Sequence, residues 1–304
     1  MGAQAEPSCE MSSTATTSTR YELQPRTLLC PHCTLDDWKP AQHVRGTSLS
    51  RCSTCGLLAT THFLKDHENA PALYDVGSEN YVEYSKRYLP ARLAFYRRIL
   101  PKLEPFRQTG QLLEIGSSYG HFLDCASAAG WEAQGVEISD YACQVARSRG
   151  CRVRQADLLD VRLSPESFDV IAMWDVIEHF SRPTEILRHC IELLRPGGGL
   201  ILRTPDARAL CPGGGLFRAG YRHLGYPANT PEHVFHFTSQ DLSALLSKLG
   251  YMRAEIHTEC FWQEFVISGK NALIRAARWA ILRYAFVLKL PYEFVAIAAK
   301  PRIS

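Results

Sequence analysis

The sequence predicts an α/β protein built on a doubly wound, mainly parallel sheet, with a small metal-organised module ahead of it, and three observations carry that expectation. From Leu112 onward, short apolar runs alternate with helical patterns, as crossover-linked parallel strands require. Each run ends in a turn holding Gly, Asp or Glu, the end at which such sheets place their working residues. Ahead of the runs stand two Cys-x-x-Cys pairs separated by eighteen residues. With 304 residues and 46% hydrophobic content, the chain can bury one substantial core and a small appendage.

In chain order, residues 1–25 form a Ser/Thr-rich tail of disordered composition, and residues 26–65 hold the cysteine pairs. Residues 66–110 form a helical lid or linker. There, Leu93, Tyr96, Ile99 and Leu100 fall on one side of a helix predicted over Pro90–Leu103, which packs on the sheet edge. Tyr81 and Tyr84 precede it as packing or lid residues. The main domain, 111–304, opens with strand Leu112–Ile115, a turn at Gly116 and a helix after Gly120. A second apolar run closes at Glu137, a third (CRVRQADLLD) at Asp157, and a fourth (SFDVIAMWD) at Trp174 and Asp175. Ile186, Leu187, Cys190, Leu193 and Leu194 recur at helical spacing from Pro183, and RPGGG ends that helix before the strand LILRTPD. A Gly/Pro-broken insertion at 211–229 follows, where substrate enters such a fold, and then a helix over Ser239–Leu249 capped by Thr238 or Ser239.

The segment LLEIGSSYG (112–120), with Glu137 twenty-one residues past Gly116, has the layout of a nucleoside pocket. A glycine turn opens a helix, and a carboxylate at the next strand end suits the two hydroxyls of a ribose. A dinucleotide fingerprint G-x-G-x-x-G does not fit, because its positions hold Gly116, Ser118 and His121. The pattern is E-x-G-x-S-x-G.

That pattern resembles the first motif of class I S-adenosylmethionine-dependent methyltransferases, with Ser118 in place of a glycine. The resemblance covers roughly Leu112 to Pro301. It extends through Glu137, Asp157, WDVIEHF, LLRPGGGLILRTPD, EHVFHFT and LSALLSKLG, in the order found in small-molecule enzymes similar to ubiquinone-pathway O-methyltransferases. It implies a Rossmann-like seven-stranded sheet whose last strand, YEFVAIAAKP, is antiparallel. It implies S-adenosylmethionine as cofactor, with Glu137 on the ribose and Asp157 and Leu158 bordering the adenine. Glu114, Gly116, Ser117 and Gly120 would surround the methionine portion, and Ser118, Tyr119, Ile138, Trp174 and Asp175 complete the expected contacts. Tyr119 and Trp174 stand where a ring face can meet adenine or a sulfonium. Asp157 is also a natural turn cap, with Asp160 as a competing choice.

Methyl transfer to a hydroxyl or a carbon acid needs a base, and His179 in WDVIEHF is the first candidate; the competing role is a hydrogen bond to local backbone. By resemblance His233 faces the pocket and is the second candidate, while His236 packs structurally.

The spacing C-x2-C-x18-C-x2-C of Cys30, Cys33, Cys52 and Cys55 is that of a zinc ribbon. Four thiolates leave no open coordination position, so the expected zinc is structural, and His32 is a solvated spacer. The ribbon can serve as a substrate-covering lid, a nucleic-acid reader, or a contact to a carrier protein or a second copy of the chain. Arg26, Lys39, Arg45 and Arg51 against Asp36 and Asp37 form no dense basic stripe, and a net charge of +3 supplies no general attraction to polyanions. The expected acceptor is a small molecule of secondary-metabolite or quinone-like type. An RNA or protein methyltransferase guided by the ribbon is the alternative. No run reaches the roughly twenty apolar residues of a spanning helix. The arginine-bearing apolar segment at 271–294 is a core or homodimer element, or a peripheral membrane contact. Eleven cysteines without an export signal indicate a reducing, cytoplasmic setting.

Overall fold

The computed structural model describes residues 23–25, 27–44, 47–64, 79–210, 233–259, 276 and 293–302. The insertion at 211–229, nearly all of the segment 271–294, and the side chains of Tyr81 and Tyr84 lie outside the described residues. The N-terminal module contains β1 (Leu23–Pro25), β2 (Trp38–Val44), β3 (Thr47–Cys52), β4 (Leu58–Thr60) and β5 (His62–Leu64). Helix α1 (Glu79–Ile99) leads to β6 (Gln111–Ile115), α2 (His121–Ala128), β7 (Glu132–Glu137), α3 (Asp140–Ser148), β8 (Arg152–Gln155) and β9 (Phe168–Trp174). Then come α4 (Pro183–Leu193), β10 (Leu194–Pro205), β11 (Phe235–His236), α5 (Ser239–Lys248), β12 (Met252–Glu259) and β13 (Glu293–Ala299).

Seven strands form the central sheet in the order β12-β13-β10-β9-β6-β7-β8. β6, β7, β8, β9 and β10 pair in parallel, and β13 runs antiparallel between β10 and β12. The expected doubly wound architecture with an antiparallel last strand is therefore present. All seven residues of β9 are buried, since helices cover both faces of this central strand. Val170, Ala172 and Trp174 join Phe95, Ile99, Phe122 and Leu123 on one face. Ile171 and Met173 join Ile186, Leu187, Leu242 and Leu245 on the other. Asp169, fully buried at the foot of β9, accepts the backbone N–H groups of Gln108, Thr109 and Gly110 at 2.6–2.8 Å and so ties the linker to the sheet.

Two local expectations are corrected. The helix expected from Pro90 begins at Glu79, with Pro90 inside it, and gives way to a 3-10 turn over Leu100–Phe106. Pro90 lies on the exposed side of the helix, where a carbonyl left free by the missing proline N–H can turn to solvent. Strand β10 begins at Leu194 and contains RPGGG as a register irregularity between Leu194 and Gly199. Thr238 is the cap of α5, in a capping box with Asp241. Among the described residues no helix is long and apolar enough to cross a membrane.

The module ahead of the sheet does not stand apart. β2, β3 and β4 form a four-stranded sheet with β11, a strand that belongs to the main domain. Leu28, Cys30, Cys52, Leu57 and Ala59 share one apolar core with Phe235, Phe237 and Leu242.

Candidate active site and cysteine centre

The first cluster gathers where β6, β7 and β8 end. Gly116 takes φ 69°, and a Cβ there would stand 2.6 Å from Val176 Cγ2. Gly116→Ala is therefore expected to displace the turn and weaken cofactor binding at least about tenfold, measured by calorimetry, because strain and overpacking each cost on the order of 1–3 kcal/mol. Unchanged affinity would show that the turn does not shape the pocket. Ser118, where the related motif has glycine, adopts φ 45°. Its left-handed backbone directs the Ser118 N–H to Glu137 Oε2 at 2.8 Å, and the Ser139 N–H meets Glu137 Oε1 at 2.9 Å. Glu137 is thus locked in one orientation at the end of β7, each oxygen keeping a lone pair for another donor. Burial raises its pKa, and the N–H groups of Ser139, Ser118 and Ile138 counteract that rise.

Glu114 Oε2 and Ser117 Oγ are buried without a protein partner. Burial first, and the carboxylates of Glu137 and Asp124 next, push the Glu114 carboxyl well above its usual range. Gly120 is the N-cap of α2. Just past Glu137, Ile138 and Tyr141 expose 37% and 47% of their surface, an apolar ledge beside a carboxylate. Leu158 is buried next to it, and Asp157 Oδ1 caps its own turn by accepting the Leu159 N–H at 2.9 Å. Tyr119 is buried between the rings of Tyr141 and His121. Trp174 is buried; Phe95 and Phe122 meet it edge-on and Tyr96 lies tilted against it, with centroids 4.9–5.7 Å apart.

A second cluster lies where β9 and β10 end. Asp175 adopts φ 57° and is gripped through both oxygens by Arg203. Arg203 is buried between that carboxylate, Glu293 and the Phe95 ring. Glu178, 1% exposed, accepts Thr204 Oγ1 at 2.9 Å through Oε2, while its Oε1 has no partner. Burial and the nearby Asp175 push the Glu178 carboxyl well above its usual range. The ring centroids of His179 and His233 lie 4.7 Å apart, and His236 follows 6.1 Å from His233. Burial, then the neighbouring imidazoles, hold His233 well below its ordinary pKa, so it stands neutral. One ligand atom each from Glu178, His179 and His233 lies within 4.8 Å of the others, a donor set that can hold a divalent cation. The structure thus unites the two candidate bases and adds Glu178, Arg203 and Thr204, which the sequence reading had not singled out. A lone arginine inside the apolar run LILRTP was the available signal for Arg203.

The third cluster is the cysteine set. Ligand atoms of Cys30, Cys33, Cys52 and Cys55 lie within 4.8 Å of one another, with Cys30 Sγ and Cys55 Sγ 3.5 Å apart. The two knuckles repeat one turn: Thr34 N–H reaches Cys30 O at 2.8 Å, and Gly56 N–H reaches Cys52 O at 3.0 Å. Both closing residues have positive φ, 60° at Thr34 and 83° at Gly56. Burial pushes the Cys52 thiol up, but the N–H groups of Cys55 and Thr54 and the thiols of Cys30 and Cys55 pull its pKa down to about 7. His32, expected as a solvated spacer, is half-buried instead, with Nε2 unpartnered and its carbonyl accepting Lys248 Nζ at 2.6 Å.

Residues 84–253, more than half of the chain, match the methyltransferase domain family. The chain belongs to that family. Relatives of this methyltransferase include a probable S-adenosylmethionine-dependent methyltransferase of Mycobacterium tuberculosis, 26% identical over 69% of this chain and 68% of its own. A ubiquinone biosynthesis O-methyltransferase of Xanthomonas euvesicatoria is 27% identical over 48% of this chain and 64% of its own. Among solved structures, a SAM-dependent methyltransferase from Archaeoglobus fulgidus shares the fold at TM-score 0.52 and 18% identity, covering 72% of this methyltransferase and 99% of that chain. The Haemonchus contortus phosphoethanolamine N-methyltransferase 2 bound to S-adenosyl-L-methionine does so at TM-score 0.56 and 15% identity, covering 81% and 63%. The protein is an S-adenosylmethionine-dependent methyltransferase.

Proposed function

We propose that this methyltransferase acts on a small organic acceptor, at oxygen or carbon, of secondary-metabolite or quinone-like type, and carries a structural zinc in its ribbon. The observation that carries the reading is the polar wall of buried Glu178 and His233 with half-buried His179, beside Asp175, at the strand ends next to the glycine turn. Relatives named for ubiquinone biosynthesis and phosphoethanolamine methylation support an acceptor of that size.

In this reading Glu137 binds the ribose hydroxyls, and Ile138, Leu158 and Asp157 flank the adenine. Glu114 and Ser117 take the methionine end, where an ammonium group would supply the counter-charge that burial denies Glu114. Ser118, Tyr119, Gly116 and Gly120 shape the turn. Asp175, held by Arg203, borders the pocket, and Trp174 supports it from the core. The bound cofactor supplies a methyl group already activated on a positively charged sulfur, so the protein has to orient the acceptor and exclude water. As the acceptor gains the methyl it loses a proton, and His179 or His233 receives it.

His179→Ala and His233→Ala are expected to lower turnover by about 10²–10⁴-fold while leaving cofactor affinity nearly unchanged. Full turnover in both variants would remove a histidine base. A second reading, favoured by the partnerless Glu178 Oε1, has the same three residues holding a divalent cation on the acceptor side. Dialysis against a chelator too weak to strip a four-thiolate zinc separates the two: activity lost and then restored by added magnesium or manganese indicates the cation, and indifference indicates the base alone. Acceptor class is tested by labelled methyl transfer to a library of hydroxylated small molecules against RNA and peptide pools. Label entering only RNA or peptide would replace this reading with that of a ribbon-guided macromolecule methyltransferase.

A further inference from the structure

We infer that the cysteine ribbon positions the turn that carries Glu178 and His179, through β4 and Val234, and that Thr60 is where it also fixes the ring of the neighbouring His236. The inference rests on the reading that His179 and His233 face the acceptor. The second knuckle, Cys52 to Cys55, is the hairpin turn between β3 and β4, so whatever closes the knuckle sets where β4 runs. β4 pairs antiparallel with β11, Ala59 opposite Phe235 and Leu58 opposite His236. Thr60, wholly buried, ends that strand with two contacts. Its N–H donates to Val234 O at 2.9 Å, and its Oγ1 lies 3.0 Å from His236 Nε2. Val234 in turn donates its N–H to Glu178 O at 2.8 Å. A continuous hydrogen-bonded path thus runs from the cysteine knuckle through β4 and Val234 to the turn that carries Glu178 and His179.

The first knuckle is tied to the same domain at two further points. Pro31 O accepts Thr184 Oγ1 at 3.3 Å near the start of α4, and His32 O accepts Lys248 Nζ at the end of α5. Trp38 of β2 packs against Phe235, with centroids 6.2 Å apart. A lid that opened and closed would have to break the β4–β11 pairing and a shared apolar core, so the ribbon is a fixed wall of the acceptor side. By contrast, Glu137 is held by Ser118 and Ser139, outside the ribbon. Metal loading should therefore govern acceptor-side geometry and leave the cofactor pocket intact. Thr60 is the branch point: its N–H continues the path to Val234, and its hydroxyl faces the His236 ring nitrogen, where it selects that imidazole's tautomer and fixes its rotation.

The full-length protein, labelled with ¹⁵N-histidine, tests this. Thr60→Val keeps shape and removes the hydroxyl. It is expected to move the His236 ring-nitrogen signals to those of another tautomer, and Thr60→Ser should restore them. Cys55→Ser, which removes one ligand, is expected to speed hydrogen exchange at the Val234 amide about tenfold while the affinity for S-adenosylhomocysteine stays within about threefold. Unchanged His236 signals in Thr60→Val, or failure of Thr60→Ser to restore them, would overturn the role of Thr60. Unchanged Val234 protection in a zinc-free Cys55→Ser protein would overturn metal control. Failure of the wild-type protein to bind S-adenosylhomocysteine would instead sink the methyltransferase reading, since the ring signals and exchange rates do not depend on that ligand.

Discussion

Glu137→Ala is expected to remove measurable binding of S-adenosylmethionine and S-adenosylhomocysteine. A carboxylate that accepts two ribose hydroxyls contributes about 1.5–3 kcal/mol per bond, so losing both lowers affinity by roughly 10²–10⁴-fold. The effect should exceed that of an ordinary ligand deletion, because Glu137 also holds the pocket together. Its two oxygens fix the backbone N–H groups of Ser118 and Ser139, and Ser118 sits in a left-handed conformation that it has little reason to keep alone. Glu137→Gln should be nearly as damaging: one oxygen becomes an NH2 group, and either flip of the amide sets it against a backbone N–H donor. Calorimetry with the demethylated cofactor measures the loss, and circular dichroism establishes that the variants are folded. Affinity retained in both folded variants would mean that the nucleoside lies elsewhere.

That expectation could be drawn from the sequence because the elements behind it are local. A glycine turn after an apolar run, and a carboxylate closing the next run, are short-range features, and a parallel, doubly wound sheet follows once strands alternate with helices. The cysteine quartet was legible for the same reason, each knuckle spanning four residues. Legibility failed where a residue's role depends on a distant partner. His236 is buried, in keeping with a packing role, but no local pattern tells that its ring meets Thr60, 176 positions earlier. Arg203 sits in an apolar strand whose period gives no hint that Asp175, Glu293 and Phe95 converge on it. Nothing in the pattern of β9 tells that α1 brings Phe95 and Tyr96 against Trp174. Pro90 marks a helix start in the sequence, yet an exposed proline can sit inside a long packed helix, and α1 begins at Glu79. The ribbon's attachment was invisible for the plainest reason: β11 is two residues long and pairs with a strand from the other end of the chain.

Replacing Cys52 with serine is expected to eliminate zinc from purified protein and to lower the stability of the whole molecule, not of the ribbon alone. Four sulfurs at about 2.3 Å from one tetrahedral ion stand roughly 3.8 Å from each other. The 3.5 Å separation of Cys30 and Cys55, within a set spanning at most 4.8 Å, is close to that geometry and far beyond a covalent sulfur–sulfur bond. Elemental analysis should therefore find about one zinc per wild-type chain, the capacity of a single four-thiolate set. Small zinc modules normally melt by themselves when the metal leaves, because nothing else holds them. Here Cys30, Cys52, Leu57 and Ala59 are packed into the core that contains Phe235, Phe237, Leu242 and Leu245. Cys52 is itself buried, so the variant also places an unpaired hydroxyl in that core. A loss of about 4 kcal/mol, transmitted through shared packing, corresponds to a fall of roughly 10 °C in a domain of this size. Calorimetric scanning should show one cooperative transition displaced downward. Two transitions, with the upper one unmoved, would show the ribbon to be an independent appendage, and a wild-type protein without zinc would remove the metal from the account altogether.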